Sequence, residues 1–210
     1  MRRLAKVKFE GRKKLDYRVD EAYKSLRTNV QFSGSGVQVI DFTSCTPNEG
    51  KSSVAFNLAV SFAESGKRVI MIDADMRKSV LAGRYKVGSV DAGLAHYLSG
   101  QKTLDEVCLN TDIDGMDIIF SGPFVPNPAE LLESTHFHDL IKYCICTRGK
   151  YSASGSQTMM SSSVMRKALV ISRFAEKLLP EPGVPRIRPF GFLSCLRSTM
   201  IMLLESAFSP

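Results

Sequence analysis

At 210 residues with 44% hydrophobic and 23% charged content, the chain has the composition of an ordinary globular protein of one domain. Its formal charge of +7 does not mark a nucleic-acid binder: residues 146–210 hold nine Lys and Arg against three Glu, leaving +1 for residues 1–145, and those basic residues are scattered without interleaved stacking aromatics. Five cysteines, odd in number and scattered, give neither a disulfide framework nor zinc spacing, so a reducing cytosol is the simple reading.

The chain opens on a basic stretch, Met1 to Leu15, that lacks the long apolar core of a secretory leader. A solvated arm over residues 1–16 is expected, with a peripheral contact to anionic lipid as the sharper alternative. Glu21, Lys24 and Arg27 follow at helical spacing and share one face, which by itself reads as a solvated charged face. Val37 to Phe42 is a short apolar run read as a buried strand, and Ser53 to Glu64 carries helix-period apolar residues at Val54, Leu58 and Phe62.

Between that strand and helix lies Thr43-Ser-Cys-Thr-Pro-Asn-Glu-Gly-Lys-Ser-Ser53, a phosphate-binding loop. Backbone N–H groups of such a turn converge with the positive end of the helix dipole on one anionic group. Lys51 then reaches the β- and γ-phosphates of a nucleoside triphosphate as a point charge, and the Ser52 hydroxyl ligates Mg²⁺. In the pattern G-x-x-x-x-G-K-[ST] only Gly50, Lys51 and Ser52 match strictly. Cys45 stands at the first glycine, and Asn48 is placed where the left-handed region is tolerated.

Next comes Arg68 to Arg77, an apolar run of strand length ending in Asp73 and Asp75. Alternation puts the two carboxylates on one side at the C-terminal end of a strand, where open α/β sheets place ligand crevices. There they can hold Mg²⁺ or accept a proton from an attacking hydroxyl. Loop and carboxylates sit one helix apart, a single βαβ unit. Further on, Pro128 to Cys144 has helix period, as does Val164 to Leu179. His96, His136 and His138 have no ligand constellation and read as surface or helix-face residues. Phe190 to Phe208 is interrupted by Arg197 and Glu205, so no membrane span is expected.

Five segments resemble the bacterial tyrosine kinases of capsular and exopolysaccharide synthesis. Glu21 to Asn29 resembles that family's E-x-x-R-x-x-R helix, with Lys24 at the middle arginine; Thr43 to Ser53 resembles its T-S-x-x-P-G-E-G-K-S loop; Val69 to Arg77 resembles its D-x-D-x-R strand. Gly93 to Gly100 and Ser121 to Leu132 are similar to its G-L-x-x-x-L-x-G and G-x-x-P-P-N-P-x-E-L-L segments, the last being the most family-specific. The likeness covers about residues 17–145. It implies an α/β fold of the P-loop NTPase type, a mostly parallel sheet with flanking helices.

The same resemblance implies ATP and Mg²⁺ as cofactors, with Thr46, Asn48, Glu49, Gly50, Lys51, Ser52 and Ser53 around the nucleotide. Ser52, Asp73 and Asp75 would serve the metal, and Lys51, Asp73 and Asp75 catalysis. Glu21, Lys24 and Arg27 would form subunit contacts of a homo-oligomer. Tyrosine hydroxyls of the chain itself and of partner proteins would be the substrates. A transmembrane activator, the polysaccharide co-polymerase, would hold the cytoplasmic protein peripherally at the inner face of the membrane. The related ATPases that position division sites or segregate DNA resemble K-G-G-x-G-K-T, whose signature lysine would fall at Thr46; Thr46 and Pro47 argue for the kinase group.

After residue 145 the resemblance ends. The family's third strand, V-I-I-D-x-x-P, completes the metal site, yet here no aspartate follows Asp139 and no tyrosine follows Tyr151, where Firmicute-type members carry a tyrosine cluster. Residues 146–210 read as a basic tail of little pattern, and the sheet is expected to be incomplete at the C-terminus, with an exposed edge and marginal stability. The hypothesis that this tail is an out-of-frame or unrelated replacement is tested by translating the coding DNA in its other two frames and searching for a V-I-I-D-like strand. A non-catalytic nucleotide-binding module that docks to the activator is the alternative to an active kinase.

Overall fold

A computed structural model describes residues 6–33, 37–43, 49–147, 168–172, 188–189 and 200–204. The N-terminal residues do not form a solvated arm throughout: β1 (Lys6–Val7) pairs with a strand more than a hundred residues away, and Phe9 is buried. The reason is aromatic. Phe9 packs edge-on against Phe56 with ring centroids 4.8 Å apart, and Phe56 stacks on Tyr85 at 3.9 Å, so the segment is held by ring burial that its flanking charges do not oppose.

Helix α1 (Tyr17–Phe32) starts where extended Asp16 accepts a hydrogen bond from the Arg18 N–H, and it buries Tyr23, Leu26 and Val30 at helical spacing. Strand β2 (Val39–Thr43), helix α2 (Lys51–Glu64) and strand β3 (Val69–Asp73) follow as the expected βαβ unit. The helix begins at Lys51, two residues ahead of the sequence reading, which places Lys51 and Ser52 inside its first turn. Phe56, Leu58 and Phe62 of α2 are fully buried, each worth about 1.5–3 kcal/mol.

Short helices α3 (Leu81–Arg84), α4 (Leu94–Leu98) and α5 (Leu104–Val107) lead into the hairpin β4 (Cys108–Thr111) and β5 (Met116–Ile119), turned by Gly115 at φ 81°. The helix read over Pro128 to Cys144 is two helices, α6 (Pro128–Glu133) and α7 (Thr135–Thr147). Ser134 breaks it, with ψ 155°, its hydroxyl donating to the Leu131 carbonyl at 2.6 Å and accepting from the Phe137 N–H.

Strands β6 (Ala168–Ser172), β7 (Arg188–Pro189) and β8 (Met200–Leu204) come from the tail. The helix expected over Val164 to Leu179 is replaced, over Ala168–Ser172, by a strand in five-residue parallel register with β2. An unpaired β2 edge offers hydrogen bonds that local periodicity cannot outweigh, and Val170 and Ile171 suit a strand.

The eight strands run in the order β1-β4-β5-β3-β8-β2-β6-β7. The sheet is mixed rather than mostly parallel, since four of its seven pairings are antiparallel. The decisive strand is β8, which fills the position between β2 and β3 and runs opposite to both. Helices α1, α2 and α3 cover one face of the sheet, and α4 to α7 cover the other.

Two family-like segments acquire a structural meaning where Gly93 meets Gly122. The Leu94 N–H bonds the Phe120 carbonyl at 2.7 Å, the Ala95 N–H bonds that of Ser121 at 3.0 Å, and a Cβ on Gly93 would lie 2.4 Å from the Gly122 nitrogen. Backbone, not a pliant side chain, is the obstacle. Gly93→Ala is therefore expected to destabilise the fold by about 2 kcal/mol or more, read as a lower urea midpoint; an unchanged midpoint would refute the close approach.

Candidate functional site

The site lies at the C-terminal ends of β2 and β3, where α2 begins. Gly50 caps α2 at φ 84°, a left-handed conformation that a side chain resists, and a glycine brings no side-chain oxygen to the helix start. The first-turn N–H groups of a helix that begins on glycine lack a cap from that residue, a start that suits an anion. Of the loop residues read from sequence, Glu49, Gly50, Lys51, Ser52 and Ser53 are seen at this helix start, whereas Thr46 and Asn48 lie outside the described residues.

Two motifs distant in sequence meet here. The Lys51 Nζ stands 3.6 Å from Asp75 Oδ2, both side chains being largely buried. Burial pushes the Lys51 ammonium down from its usual range, and the carboxylates of Asp75, Asp73 and Asp41 oppose that shift. Asp73 closes β3 at full burial: Oδ1 accepts the Asp75 N–H at 3.1 Å and Oδ2 accepts the Ser79 hydroxyl at 2.5 Å. Desolvation raises its pKa to about 6, against those two hydrogen bonds. Asp75 Oδ1 accepts the Lys78 N–H at 3.1 Å, which orients the carboxylate toward Lys51. Two carboxylates and a hydroxyl are hard oxygen donors of the kind Mg²⁺ prefers, and an ammonium beside a glycine-capped helix start suits phosphate.

Three residues at or beside this site escaped the sequence reading. Ser79 carries no signal beyond its place six residues after Asp73. Arg84, on α3, donates to the Ser53 hydroxyl. Asp41 does carry a signal, a lone carboxylate inside an apolar strand. It is buried, its Oδ1 has no hydrogen-bond partner among the described residues, and desolvation lifts its pKa to about 7.

The three residues read as subunit contacts separate. Lys24 pairs with Glu21 at 2.8 Å and with Asp20 at 2.9 Å on the outer face of α1. Arg27 turns inward and donates to the Ser61 carbonyl at 2.6 Å and hydroxyl at 3.0 Å, tying α1 to α2.

The AAA domain family matches residues 38–142, the span from β2 to α7 that builds this site. The chain belongs to that family. This AAA domain is similar to the tyrosine-protein kinase CpsD of Streptococcus pneumoniae, 39% identical over 134 residues that make up 63% of this chain and 59% of the relative. It is also similar to the tyrosine-protein kinase YwqD of Bacillus subtilis, 38% identical over 122 residues, 57% of this chain and 51% of that one. Among solved structures it resembles the kinase domain of the Escherichia coli tyrosine kinase ETK, at 34% identity and TM-score 0.55 over 59% of this chain and 49% of that chain. The likeness to bacterial tyrosine kinases read from the five motifs therefore holds for this AAA domain, which spans little more than half the length of those curated relatives.

Proposed function

We propose that the chain binds Mg-ATP and belongs to an ATP-dependent protein-tyrosine kinase of capsular or exopolysaccharide synthesis. The observation that carries the reading is the meeting of Lys51 and Asp75 at 3.6 Å over the glycine-capped start of α2. Lys51 would hold the β- and γ-phosphates, and Ser52 with Asp73 and Asp75 would hold Mg²⁺. Held by these residues, the ion would supply charge neutralisation at the phosphate oxygens. Asp73, mostly ionised at pH 7 given a pKa of about 6, would accept the proton of the attacking tyrosine hydroxyl, with Ser79 and the Asp75 N–H orienting its two oxygens.

Substrate tyrosines would come from the chain itself and from partner proteins, and a transmembrane activator of the polysaccharide machinery would be the docking partner. No helix among the described residues is long and apolar enough to cross a membrane, which fits docking to a separate membrane protein. Glu21 and Lys24, on the outer face of α1, would serve contacts between copies, while Arg27 would act through the α1–α2 junction.

Incubation with labelled ATP and Mg²⁺ tests the reading. Label is expected on tyrosine, and Lys51→Met should lower incorporation at least about 100-fold, since phosphoryl transfer rests on charge and positioning. Absence of any affinity for adenine nucleotides would end the proposal.

A second reading, a non-catalytic nucleotide-binding module, has one observation of its own. At the site end of the central position, between Phe42 and Asp73, stands Met200 of β8, an apolar residue whose soft thioether has nothing to offer Mg²⁺. Tight nucleotide binding without label on tyrosine is the outcome that would favour this module over the kinase.

A further inference from the structure

Lys51 is the first residue of α2 and Ser53 the third, so on a helix of 3.6 residues per turn their side chains leave the axis about 200° apart. Asp75 stands on the Lys51 side of the helix start. On the other side Arg84 brings its guanidinium to the Ser53 hydroxyl. That approach is fixed from below. The Arg84 carbonyl lies where a Cβ on Gly11 would come within 2.7 Å, the Gly11 N–H bonds the Tyr85 carbonyl at 3.0 Å, and the Tyr85 ring stacks on Phe56. The guanidinium has five donors, and among the described residues no carboxylate pairs with it. An exposed arginine with no carboxylate partner among the described residues, held by its own backbone against the glycine-capped start of α2, is placed for a phosphate.

We propose that Arg84 is a further nucleotide-binding residue, which clamps the α-phosphate from the side of the helix start opposite Lys51. The inference rests on the nucleotide reading above and goes beyond it in naming which phosphate is held and by what. Lys51, on the Asp75 side, serves the β- and γ-phosphates; the opposite side is left to the α-phosphate, which ATP and ADP share. Arg84 is thus a residue of affinity that does not distinguish the two nucleotides.

Calorimetric titration of the full chain with MgATP and MgADP tests this. Arg84→Ala is expected to weaken both nucleotides about ten-fold and by the same factor, the size of one charge-assisted hydrogen bond at an exposed site. Arg84→Lys should restore part of the loss, because it keeps the charge without the planar fork. The thermal midpoint of both variants should stay that of the parent chain, which a tie serving only to join α3 to α2 would not allow. Affinity for MgADP unchanged within two-fold overturns the proposal, as does a loss confined to MgATP, which would move Arg84 to the γ-phosphate. Failure of the parent chain to bind either nucleotide would instead bring down the nucleotide reading itself, and the inference with it.

Discussion

Met202→Asp should leave the chain without a cooperative folding transition. Met202 is the middle residue of β8, pairs with Ile40 on one side and Met71 on the other, and is 1% exposed. Its side chain belongs to the apolar core formed with α1 and α2. An unpaired buried charge costs about 4 kcal/mol or more, a large part of the stability of any domain of this size. Met202→Ala should keep a sharp urea transition while losing about 2–4 kcal/mol, the usual effect of a cavity. Far-UV circular dichroism against urea reads both. A Met202→Asp chain with the parent midpoint would show that the tail strand does not hold the centre of the sheet, and would restore the expectation of a sheet incomplete at its C-terminal end.

Asp41→Asn is expected to stabilise the chain at neutral pH. The folded state raises the Asp41 pKa from 3.8 to about 7 by desolvation, so between those values the folded chain keeps a proton that the unfolded chain has released. With more protons bound in the folded state, stability falls as pH rises through that window. The full shift corresponds to about 4 kcal/mol at most, and about 2–3 kcal/mol is a realistic gain for the variant at pH 7.5, with none at pH 3.5. Asp73, raised to about 6 by burial, adds a smaller slope of the same sign that the variant retains. Urea midpoints at the two pH values measure this; a variant no more stable than its parent at pH 7.5 would mean that Asp41 is not the buried, desolvated carboxylate described.

The chemistry-bearing pair Lys51 and Asp75 was legible because each belongs to a short motif whose geometry is set within a few residues: a turn entering a helix, a strand leaving a sheet. One helix between them then restricts how they can meet. Arg27 was misleading in the same light. Its spacing from Glu21 and Lys24 assigns it to their face, but a long side chain at the edge of that face reaches Ser61 on the neighbouring helix. Helix spacing states where a Cβ lies and not where a guanidinium ends. Ser79, Arg84 and Asp41 gain meaning only from neighbours brought close by folding.

The sequence alone determined the βαβ unit, the glycine that opens α2 and the carboxylates at the strand end, since hydrophobic period and turn chemistry act over distances shorter than one element. Tertiary structure alone decided the fate of the tail. Met200 to Leu204 is a short apolar run that could serve helix or strand, in either direction. Between β2 and β3 lies a gap one strand wide, lined on both sides by backbone groups that need hydrogen-bond partners, and such an edge accepts an antiparallel strand as readily as a parallel one. Filling it completes the core and sets an apolar residue, Met200, at the mouth of the site, because the direction of the strand, not its composition, chooses which end faces the ligand.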